Sequence, residues 1–531
     1  MTATPTMNLA QLLAQTARLF PGHTGLIHGD QRWTWAQIDA RVSAMAGALR
    51  ELGVRQGDRI LVQSRNNLQM FESCWVAFRL GCVWVPTNFR LTPPEVAYLG
   101  ASSGAVAMIV EDVFSGHADA VRAESPALEH VVTIGTPRAG EHAYEALVQQ
   151  HLGRAPAPDL EATVAYDDPL WFFYTSGTTG RPKASTLTHG QMAFVVANHL
   201  ADLIPGTTER DCSIAVAPLS HGAGVHMLLN VARGAATVLM PGEKLDPEVF
   251  WRLVQQHRVS NLFTVPTIVK MLVEHPAVDA YDHSSLRYLI YAGAPMYRAD
   301  QKLALRKLGK VLVQYFGMGE VTGCITVLPP DMHSADDDDP NAHIGSCGRP
   351  RTGMEVAIFD ADMKPVPTGE VGEICCRGPA VHAGYYNNPE ATAKALRGGW
   401  FHTGDLGRID ERGLVTITGR ESDMYISGGS YVYPREVEEV LLTHPGVAEV
   451  AVLGVPDAKW GERPHAEVVL KPEAAGTVTP RDLQKHLGAE VDAGTLHQRA
   501  ILTQIVWADA LPRTSVGKID KKALRARLAG A

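Results

Sequence analysis

The feature that most constrains the fold of this chain is a glycine- and hydroxyl-rich segment that follows an apolar run. The run 169–173 is short and aromatic, which is typical of a buried strand. The segment 174–183 then supplies two glycines, four Ser and Thr hydroxyls and one lysine. The apolar positions of 187–196 fit a helix. The pattern therefore predicts a strand, a loop and a helix, an arrangement in which backbone N–H groups can face phosphate oxygens.

The candidate phosphate ligands of this loop are hydroxyls, backbone N–H groups and one ammonium group. They are Thr175, Ser176, Gly177, Thr178, Thr179, Gly180 and Lys183. The segment differs from a P-loop, which has glycines five apart followed by Lys and then Ser or Thr. Here the glycines are three apart, Pro182 precedes the lysine and Ala184 follows it. This spacing disfavours a P-loop kinase or GTPase. An ordinary turn stays an alternative for the loop taken alone.

Length and composition limit the classes of function. A chain of 531 residues exceeds the size of a single hydrophobic core, so more than one domain is expected. The net charge of -9 provides no basic field for nucleic acid or an anionic membrane. The seven cysteines are scattered, which disfavours disulfides and zinc sites and favours the cytoplasm. The sequence has no apolar run of membrane-spanning length, and its N-terminus does not match a signal peptide.

Alternating helix and strand patterns predict an α/β fold, with parallel-rich sheets flanked by helices. The proline-containing stretch 135–168 predicts a linker between subdomains. The composition changes near Gly419, and the remaining pattern of helices and strands predicts a small α+β unit. We therefore expect a large N-terminal domain over 1–419 and a smaller, mobile C-terminal domain over 420–531.

The order of residues in 174–183 resembles the phosphate-binding signature of the adenylate-forming superfamily. This superfamily contains acyl-CoA synthetases, firefly luciferases and the adenylation domains of peptide synthetases. Further segments resemble it in the same order along the chain: 291–296, 314–320, 400–405, 419–420 and 511–521. The resemblance implies an AMP-forming acid–thiol ligase that uses ATP, Mg²⁺ and coenzyme A. Such an enzyme turns a carboxylic acid into an acyl-adenylate and then into a thioester.

The resemblance also implies roles for individual residues around the nucleotide. Lys183 and the hydroxyl loop would hold the β- and γ-phosphates, and Glu320 would hold Mg²⁺. Phe316 would stack on adenine. Asp405 would accept hydrogen bonds from the ribose hydroxyls, a task that suits the two oxygens of a carboxylate. The implied nucleotide-binding residues outside the loop are Gly293, Ala294, Pro295, Tyr315, Phe316, Gly317, Asp405 and Arg420.

Two positions depart from the family pattern. The family usually has a threonine before the metal-binding glutamate, whereas this chain has Gly319. Either one transition-state contact is absent, or a neighbouring hydroxyl such as that of Thr322 replaces it. At the expected hinge the family prefers Asp or Lys, and this chain has Ser422. Rotation of the small domain is still expected, with different energetics.

The resemblance places the main catalytic cation on the C-terminal domain. Lys518 matches the family's mobile lysine, which bridges the carboxylate and the α-phosphate as charge develops. The catalytic cation must enter the active site and leave it again. A lysine can do this because its compact charge lies at the end of a flexible side chain. The residues that would line the channel for coenzyme A are Ser427, Gly428, Gly429 and Trp460.

The acid is expected in a pocket beside His221, which in the family separates the carboxylate from the thiol tunnel. The candidate pocket residues are His221, Val225, Met227, Phe263, Thr264, Tyr291, Ala292, Gly317 and Thr322. They are mostly apolar, so we expect a medium-chain fatty acid or an aromatic monocarboxylic acid. His226 lies beside them and points either into the pocket or into the core.

Several alternatives stay open at this stage. A fatty-acyl-AMP ligase or a stand-alone adenylation enzyme would not use coenzyme A. A non-catalytic nucleotide-binding relative would have the fold without the chemistry. A peptide-synthetase adenylation domain is expected to precede a carrier domain, and this sequence stops 13 residues after Lys518, at residue 531. A homodimer is compatible with the sequence, and a nucleic-acid partner is not expected.

Overall fold

A computed structural model describes residues 4–175, 181–242, 244–294, 296–340, 342–420, 422–427, 430–493, 496, 498–502, 504–514 and 519–529. Its α-helices are α1 Gln11–Leu19, α2 Trp35–Glu51, α3 Leu68–Arg79, α4 Pro93–Ser103, α5 Ser115–Glu124, α6 Tyr144–His151, α7 His189–Asp202, α8 Gly222–Arg233, α9 Pro247–His257, α10 Pro266–Glu274, α11 Arg298–Leu308, α12 Pro389–Ala395, α13 Pro434–Thr443, α14 Pro480–Asp492 and α15 Lys521–Ala529.

The strands of the N-terminal part are β1 Pro5–Thr6, β2 Thr24–His28, β3 Gln31–Thr34, β4 Arg59–Gln63, β5 Val83–Pro86, β6 Ala107–Glu111, β7 His130–Ile134, β8 His142–Ala143, β9 Val164–Ala165, β10 Pro169–Thr175, β11 Lys183–Thr188, β12 Cys212–Ala215, β13 Ala236–Leu239, β14 Asn261–Thr264, β15 Tyr288–Tyr291, β16 Leu312–Phe316, β17 Thr326–Leu328, β18 Ser346–Pro350, β19 Glu355–Phe359, β20 Gly372–Arg377, β21 Phe401–Ile409 and β22 Val415–Arg420. Those of the C-terminal part are β23 Tyr425–Ser427, β24 Ser430–Val432, β25 Val447–Asp457, β26 Gly461–Leu470 and β27 Gln504–Trp507.

Two large mixed sheets form the N-terminal part. The first has the strand order β11-β10-β5-β4-β6-β7-β8, and the second runs β19-β20-β21-β22-β18-β17-β16-β15-β14-β12-β13-β2-β3. Strands β12 to β16 pair in parallel, so their carboxyl ends meet at one edge. Helices α7 and α8 lie between the sheets, and their apolar side chains join both sheets in one core. This α/β arrangement confirms the predicted fold class.

The phosphate-loop segment sits in a different context from the one predicted. Strands β10 and β11 are antiparallel partners, with Thr175 opposite Lys183, so the segment connects the two strands of a hairpin. The helix begins only at His189, where Thr188 and Gln191 form a reciprocal capping box. The helix predicted over 187–196 is confirmed as α7, but the strand β11 between the loop and this helix was not predicted.

The stretch 135–168 is also more ordered than the predicted linker. It contains helix α6, whose side chains Tyr144, Leu147 and Val148 are buried against the first sheet and α2. Proline and small residues occur around this helix, and they concealed its apolar face in the sequence.

The C-terminal part has its own sheet, in the order β24-β23-β26-β25 with β27 beside β26. A separate apolar core lies between this sheet and helices α13 and α14. Arg435 on α13 donates to the backbone oxygen of Ile417 on β22 at 3.0 Å, which connects this part to the second large sheet. Within the described ranges, no helix has the length and apolar character needed to cross a bilayer.

Candidate functional site

A buried carboxylate lies where the two large sheets meet. Glu320 follows β16 in a short 3-10 turn and is 6% exposed. Its Oε1 accepts hydrogen bonds from the Thr175 hydroxyl at 2.8 Å and from the Tyr385 hydroxyl at 2.9 Å. Thr175 ends β10 of the other sheet, so these contacts join the phosphate-loop hairpin to the turn that carries the glutamate.

A cation completes this cluster. The Lys183 ammonium lies 4.8 Å from the centre of the Tyr385 ring, and Lys183 is the cross-strand partner of Thr175. Burial and the charge of Glu320 raise the pKa of Tyr385 well above its ordinary value, so its hydroxyl stays a neutral donor. The motifs of the sequence gave no signal for Tyr385, because only the fold brings this segment beside β11.

Glycine is required at position 319 in this arrangement. A Cβ added to Gly319 would lie 2.6 Å from the Phe173 ring and 2.8 Å from the Thr175 methyl group, closer than such atoms approach. The threonine expected from the family pattern therefore does not fit unless β10 shifts. The Thr322 hydroxyl is buried and has no hydrogen-bond partner among the described residues. Whether it substitutes for the absent threonine stays a prediction.

The expected ribose-binding residues face each other across two strands. Asp405 on β21 and Arg420 on β22 are register partners, and the Arg420 Nε donates to the Asp405 carboxylate at 3.0 Å. Asp405 is 5% exposed and follows Gly404, whose φ of +69° lies at an irregularity in the pairing of β21 with β20. The tight turn predicted before Asp405 is therefore a bulge within a strand. The ion pair fixes the orientation of the Asp405 carboxylate.

A second carboxylate supports this bulge and was not predicted from the sequence. Glu373 Oε1 accepts from the Gly404 N–H at 3.1 Å, and its Oε2 lies 2.7 Å from Nδ1 of His402. With Cys375 these residues form a compact group of Glu, Cys and His that could in principle ligate a metal. Arg397 donates to the same Glu373 Oε2 at 2.9 Å, so a cation already occupies this side of the carboxylate. We therefore interpret the group as support for the irregular part of β21 that carries Asp405.

The expected gate residue lies beside this cluster, on its apolar side. The His221 ring is 4.5 Å from the Phe173 ring, and His221 is the N-cap residue of α8. The next residue, Gly222, leaves room for Phe263, because a Cβ there would lie 2.7 Å from the Phe263 ring. Phe263 in turn stacks on Tyr315 at 5.8 Å. The carboxylate cluster and a wall of aromatic rings thus share one edge of the sheets.

Two of the predicted pocket residues face the other side of the sheet. Tyr291 is fully buried in the core beneath α10 and α11, and its hydroxyl donates to the Gln314 side chain at 3.0 Å. Thr264 is the register partner of Tyr291 on the neighbouring parallel strand, so its side chain lies on the same face of the sheet. The prediction that these side chains line the acyl pocket is therefore wrong, since residues in a strand alternate between faces. Phe263 occupies the pocket side instead.

The remaining predicted residues have mixed positions. Val225 is buried on α8, and Gly317 and Phe316 lie half-buried at the end of β16. Gly293, exposed, and Ala294, half-buried, form the turn after β15. Several predicted residues lie outside the described part of the chain: Ser176, Gly177, Thr178, Thr179, Gly180, Pro295, Gly428, Gly429 and Lys518.

Comparison with known proteins gives the family. The sequence profile of AMP-binding enzymes matches residues 13–386, and the profile of the AMP-binding enzyme C-terminal domain matches residues 436–518. This chain belongs to the AMP-binding enzyme family. The resemblance seen in the sequence motifs is thereby confirmed.

The relatives of this AMP-binding enzyme are full-length matches. It is 36% identical over 524 residues to a feruloyl-CoA synthase of Amycolatopsis, covering 96% of this chain and 97% of the relative. It is 32% identical to a medium/long-chain-fatty-acid–CoA ligase of Mycobacterium tuberculosis, covering 98% and 90%. A crystal structure of an anthranilate CoA ligase with anthranoyl-AMP superposes with a TM-score of 0.87 at 26% identity, covering 99% and 98%.

In the C-terminal part of this AMP-binding enzyme, two predicted channel residues lie at one end of the small sheet. Ser427 ends β23 and pairs with Gly461, the residue directly after Trp460. The Lys459 ammonium lies 4.6 Å from the centre of the Trp460 ring. Helix α15, which follows the predicted catalytic lysine, is held near the predicted hinge because Arg525 donates to Asp423 at 2.7 Å.

Proposed function

We propose that the protein is an AMP-forming carboxylic acid–CoA ligase that acts on a medium-chain fatty or aromatic monocarboxylic acid. The observation that supports this most is the meeting, at one edge, of the Glu320–Thr175–Lys183 cluster and the aromatic wall beside His221. The first can hold phosphates, and the second can hold an apolar acid. The names of the relatives, which include aryl- and fatty-acid–CoA ligases, support both halves of the proposal.

In the first half-reaction the carboxylate oxygen attacks the α-phosphorus of ATP. An acyl–O–P bond forms, the bond from the α-phosphorus to the bridging oxygen breaks, and pyrophosphate leaves with that oxygen. Lys183 and the hydroxyl of Thr175 would neutralise and orient the phosphates, and Lys518 would stabilise the charge that develops at the reacting oxygens. Asp405 would hold the ribose. These groups align two anions that otherwise repel each other.

Magnesium fits the Glu320 side chain. Mg²⁺ prefers oxygen ligands, and Glu320 offers a carboxylate whose Oε2 accepts no hydrogen bond from the described residues. When bound, the ion would neutralise charge on the phosphates. Thr175 and Tyr385 hold the other carboxylate oxygen, so the orientation of Glu320 is set by this chain alone.

In the second half-reaction the thiolate of coenzyme A attacks the acyl carbon. A C–S bond forms, the C–O bond to AMP breaks, and AMP leaves. We propose that the C-terminal part rotates between the half-reactions about the 420–422 segment, withdrawing Lys518 and bringing Ser427 and Trp460 to the site. A cytoplasmic location and a homodimer stay predictions of the sequence.

A panel of acids tests the proposed function. Purified protein is given ATP, Mg²⁺ and each acid, with and without coenzyme A, and pyrophosphate and thioester are measured. We expect pyrophosphate with some of the acids, and thioester only when coenzyme A is present. An acyl-adenylate as the final product, regardless of coenzyme A, would contradict the ligase and favour an enzyme that stops at the adenylate. A lack of pyrophosphate with every acid would favour a non-catalytic relative.

The rotation has its own test. A Lys518→Ala variant is supplied either with acid and ATP or with synthetic acyl-AMP and coenzyme A. Loss of adenylation with retained thioester formation is the expected result, because the lysine acts in the first step only. Equal loss in both steps would contradict the rotation. The Lys522→Ala variant, which changes an exposed lysine on α15, is the matched control.

A further inference from the structure

A small cavity lies beside the aromatic wall, between α8 and the second large sheet. Its lining residues are Ser213, Ile214, Ala215, Leu219, Ala223, His226, Met227, Thr237 and Phe263. Leu219, Ala223 and Phe263 connect it to the neighbourhood of His221. The space open to a water-sized sphere is about 10 Å³, which is close to what a single oxygen atom of a water or hydroxyl group requires.

Two polar atoms at this cavity have no partner among the described residues. They are Nδ1 of His226 and Oγ1 of Thr237, on side chains that are 5% and 2% exposed. Both residues line the cavity. A buried polar atom without a hydrogen bond costs about 1–3 kcal/mol, so such atoms are rarely left without a role.

The hydrogen-bond network determines which tautomer His226 adopts. Nδ2 of Asn230 donates to the backbone oxygen of His226 at 3.0 Å, so Oδ1 of Asn230 is the acceptor for Nδ2 of Asn261 at 3.1 Å. This leaves Oδ1 of Asn261 to accept from Nε2–H of His226, at 2.7 Å. Burial lowers the pKa of His226 to about 4, so the ring is neutral. Nδ1 therefore carries a lone pair that requires a donor.

The second polar atom complements the first. The Thr237 hydroxyl can donate, whereas His226 Nδ1 can only accept. A group that fits both must donate to His226 and either accept from Thr237 or donate to it, because the threonine hydroxyl can do both. A hydroxyl group meets this requirement with a single oxygen atom. A methoxy group accepts but cannot donate, and a methyl group does neither.

The cavity lies further along α8 than His221. His221 is the N-cap residue of the helix and His226 is five positions later, so the two Cα atoms are about 7.5 Å apart along the helix axis. The end of the acid that is remote from its carboxylate is therefore the part that can reach the cavity. Apolar side chains lie between the two histidines: Leu219, Ala223, Met227 and Phe263.

We propose that the cavity binds a hydroxyl group at the end of the acid remote from its carboxylate, with His226 accepting from that hydroxyl and Thr237 donating to it. A 4-hydroxyaryl monocarboxylic acid is the rigid form of such a substrate. The proposal rests on the proposed function and makes His226 and Thr237 residues that determine specificity. They do not take part in the chemistry.

The test compares three acids that differ only at the remote position. Benzoic, 4-hydroxybenzoic and 4-methoxybenzoic acids, and the matching cinnamic acids, are assayed for pyrophosphate release with coenzyme A present. For the wild-type enzyme we expect kcat/KM to be about fivefold higher for the hydroxylated acid in one series, from about one net hydrogen bond. The Thr237→Val and His226→Leu variants should reduce the ratio of kcat/KM for the hydroxylated acid to kcat/KM for the unsubstituted acid. This ratio is the readout because His226→Leu also removes the hydrogen bond to Asn261 and can lower activity on every acid.

Thr16→Val is the matched control. Thr16 is buried in the N-terminal part, its hydroxyl donates a hydrogen bond to the Val231 backbone oxygen, and it does not line the cavity. This variant should keep the hydroxyl preference. Equal kcat/KM for the three wild-type acids would overturn the proposal. So would a Thr237→Val effect of equal size on all acids, as expected if the cavity holds only a structural water. Activity on fatty acids with every aryl acid inert would overturn this inference alone, whereas no pyrophosphate with any acid would overturn the proposed function as well.

Discussion

The two ends of the candidate site differ in how their buried polar atoms are satisfied. At the nucleotide end Glu320 Oε1 already accepts two hydrogen bonds, and Asp405 is paired with Arg420. At the acyl end, His226 Nδ1 and Thr237 Oγ1 have no partner within the part of the chain that the structure describes. The two carboxylates of the nucleotide end are thus oriented by this chain's own side chains, whereas these two polar atoms of the acyl end are not.

This difference separates two tasks of an enzyme. Charged groups that hold each other are oriented in advance, and such preorganisation favours the transition state for every acid alike. Unpaired polar atoms instead penalise a ligand that cannot satisfy them, which produces selectivity among acids. We therefore expect substitutions at the nucleotide end to lower all activities together, and substitutions at the acyl end to change the ranking of acids.

The largest effect is expected for Glu320→Gln. The substitution removes the negative charge that would hold Mg²⁺, and we expect kcat/KM to fall about 10²- to 10³-fold for all acids alike. Steady-state pyrophosphate release across the acid panel measures this. Glu355→Gln, at an exposed residue paired with Arg377, should change little. A loss of kcat/KM confined to one class of acid would contradict the expectation that substitutions at the nucleotide end affect all acids alike.

A smaller loss is expected for Gly319→Thr. The added atoms collide with Phe173 and Thr175, so β10 or the Glu320 turn must shift. Overpacking of this kind costs about 1–3 kcal/mol, and we expect lower thermal stability together with lower kcat. The control is Gly116→Thr on α5, where a Cβ would meet nothing within 4 Å. Higher activity in Gly319→Thr would show that the absent threonine contact limits the enzyme.

The pH dependence of stability sharpens the comparison, because the acyl end contains a neutral buried histidine. Burial lowers the pKa of His226 to about 4, below the ordinary value of 6.5. Between these values the unfolded chain binds more protons, so the free energy of unfolding falls as the pH falls. The slope from one such group is at most about 1.4 kcal/mol per pH unit. Denaturant midpoints from pH 7 to pH 5 should therefore change less in His226→Leu than in wild type.

Other buried histidines share this behaviour. Burial lowers the pKa of His189, His333 and His382 to about 4 as well. The wild-type protein should therefore lose stability steadily below about pH 6.5, and the His226→Leu variant should remove only one part of that loss. A variant with an unchanged pH dependence would show that His226 is not held neutral by the fold.

The smallest effect is expected for Tyr385→Phe. It removes one hydrogen bond to Glu320 and keeps the ring beside Lys183, a loss of about 1 kcal/mol, or roughly fivefold in kcat/KM. Kinetics with varied ATP measure the change. Tyr288→Phe is the control, since its hydroxyl bonds to the Pro205 backbone oxygen far from the cluster. A loss as large as that of Glu320→Gln would mean that Tyr385 contacts the reacting groups directly.

The sequence motifs led to the correct family and fold class because each motif is a short contiguous segment. The chain was assigned to the adenylate-forming enzymes because the segments 174–183, 314–320 and 400–405 follow one another in the family's order. Local patterns failed where pairing between distant segments decides the structure. The helix predicted over 187–196 is present as α7, but the strand β11 that precedes it and pairs with β10 was not predicted. The six residues of β11 give no local signal for this pairing, which depends on β10.

The second property that the sequence did not predict is the face of the sheet on which a side chain lies. Tyr291 and Thr264 were expected in the pocket, and the register of β14 and β15 turns both toward the opposite core. Phe263, named as a candidate in the same stretch, faces α8. The identity of the inward residue depends on which face of the strand the helix covers, and a short apolar strand buried on both faces does not reveal this.

The sequence by itself determined which chemical groups are present and in what order: a hydroxyl-rich loop with Lys183, the glutamate Glu320, and the aspartate Asp405. Only the tertiary structure decided that Tyr385 and Glu373 orient two of these carboxylates, and that His226 faces a cavity with a free acceptor. The physical reason is that composition and spacing specify what a segment can donate or accept. Whether a partner meets it depends on contacts between strands and helices that lie far apart in the chain.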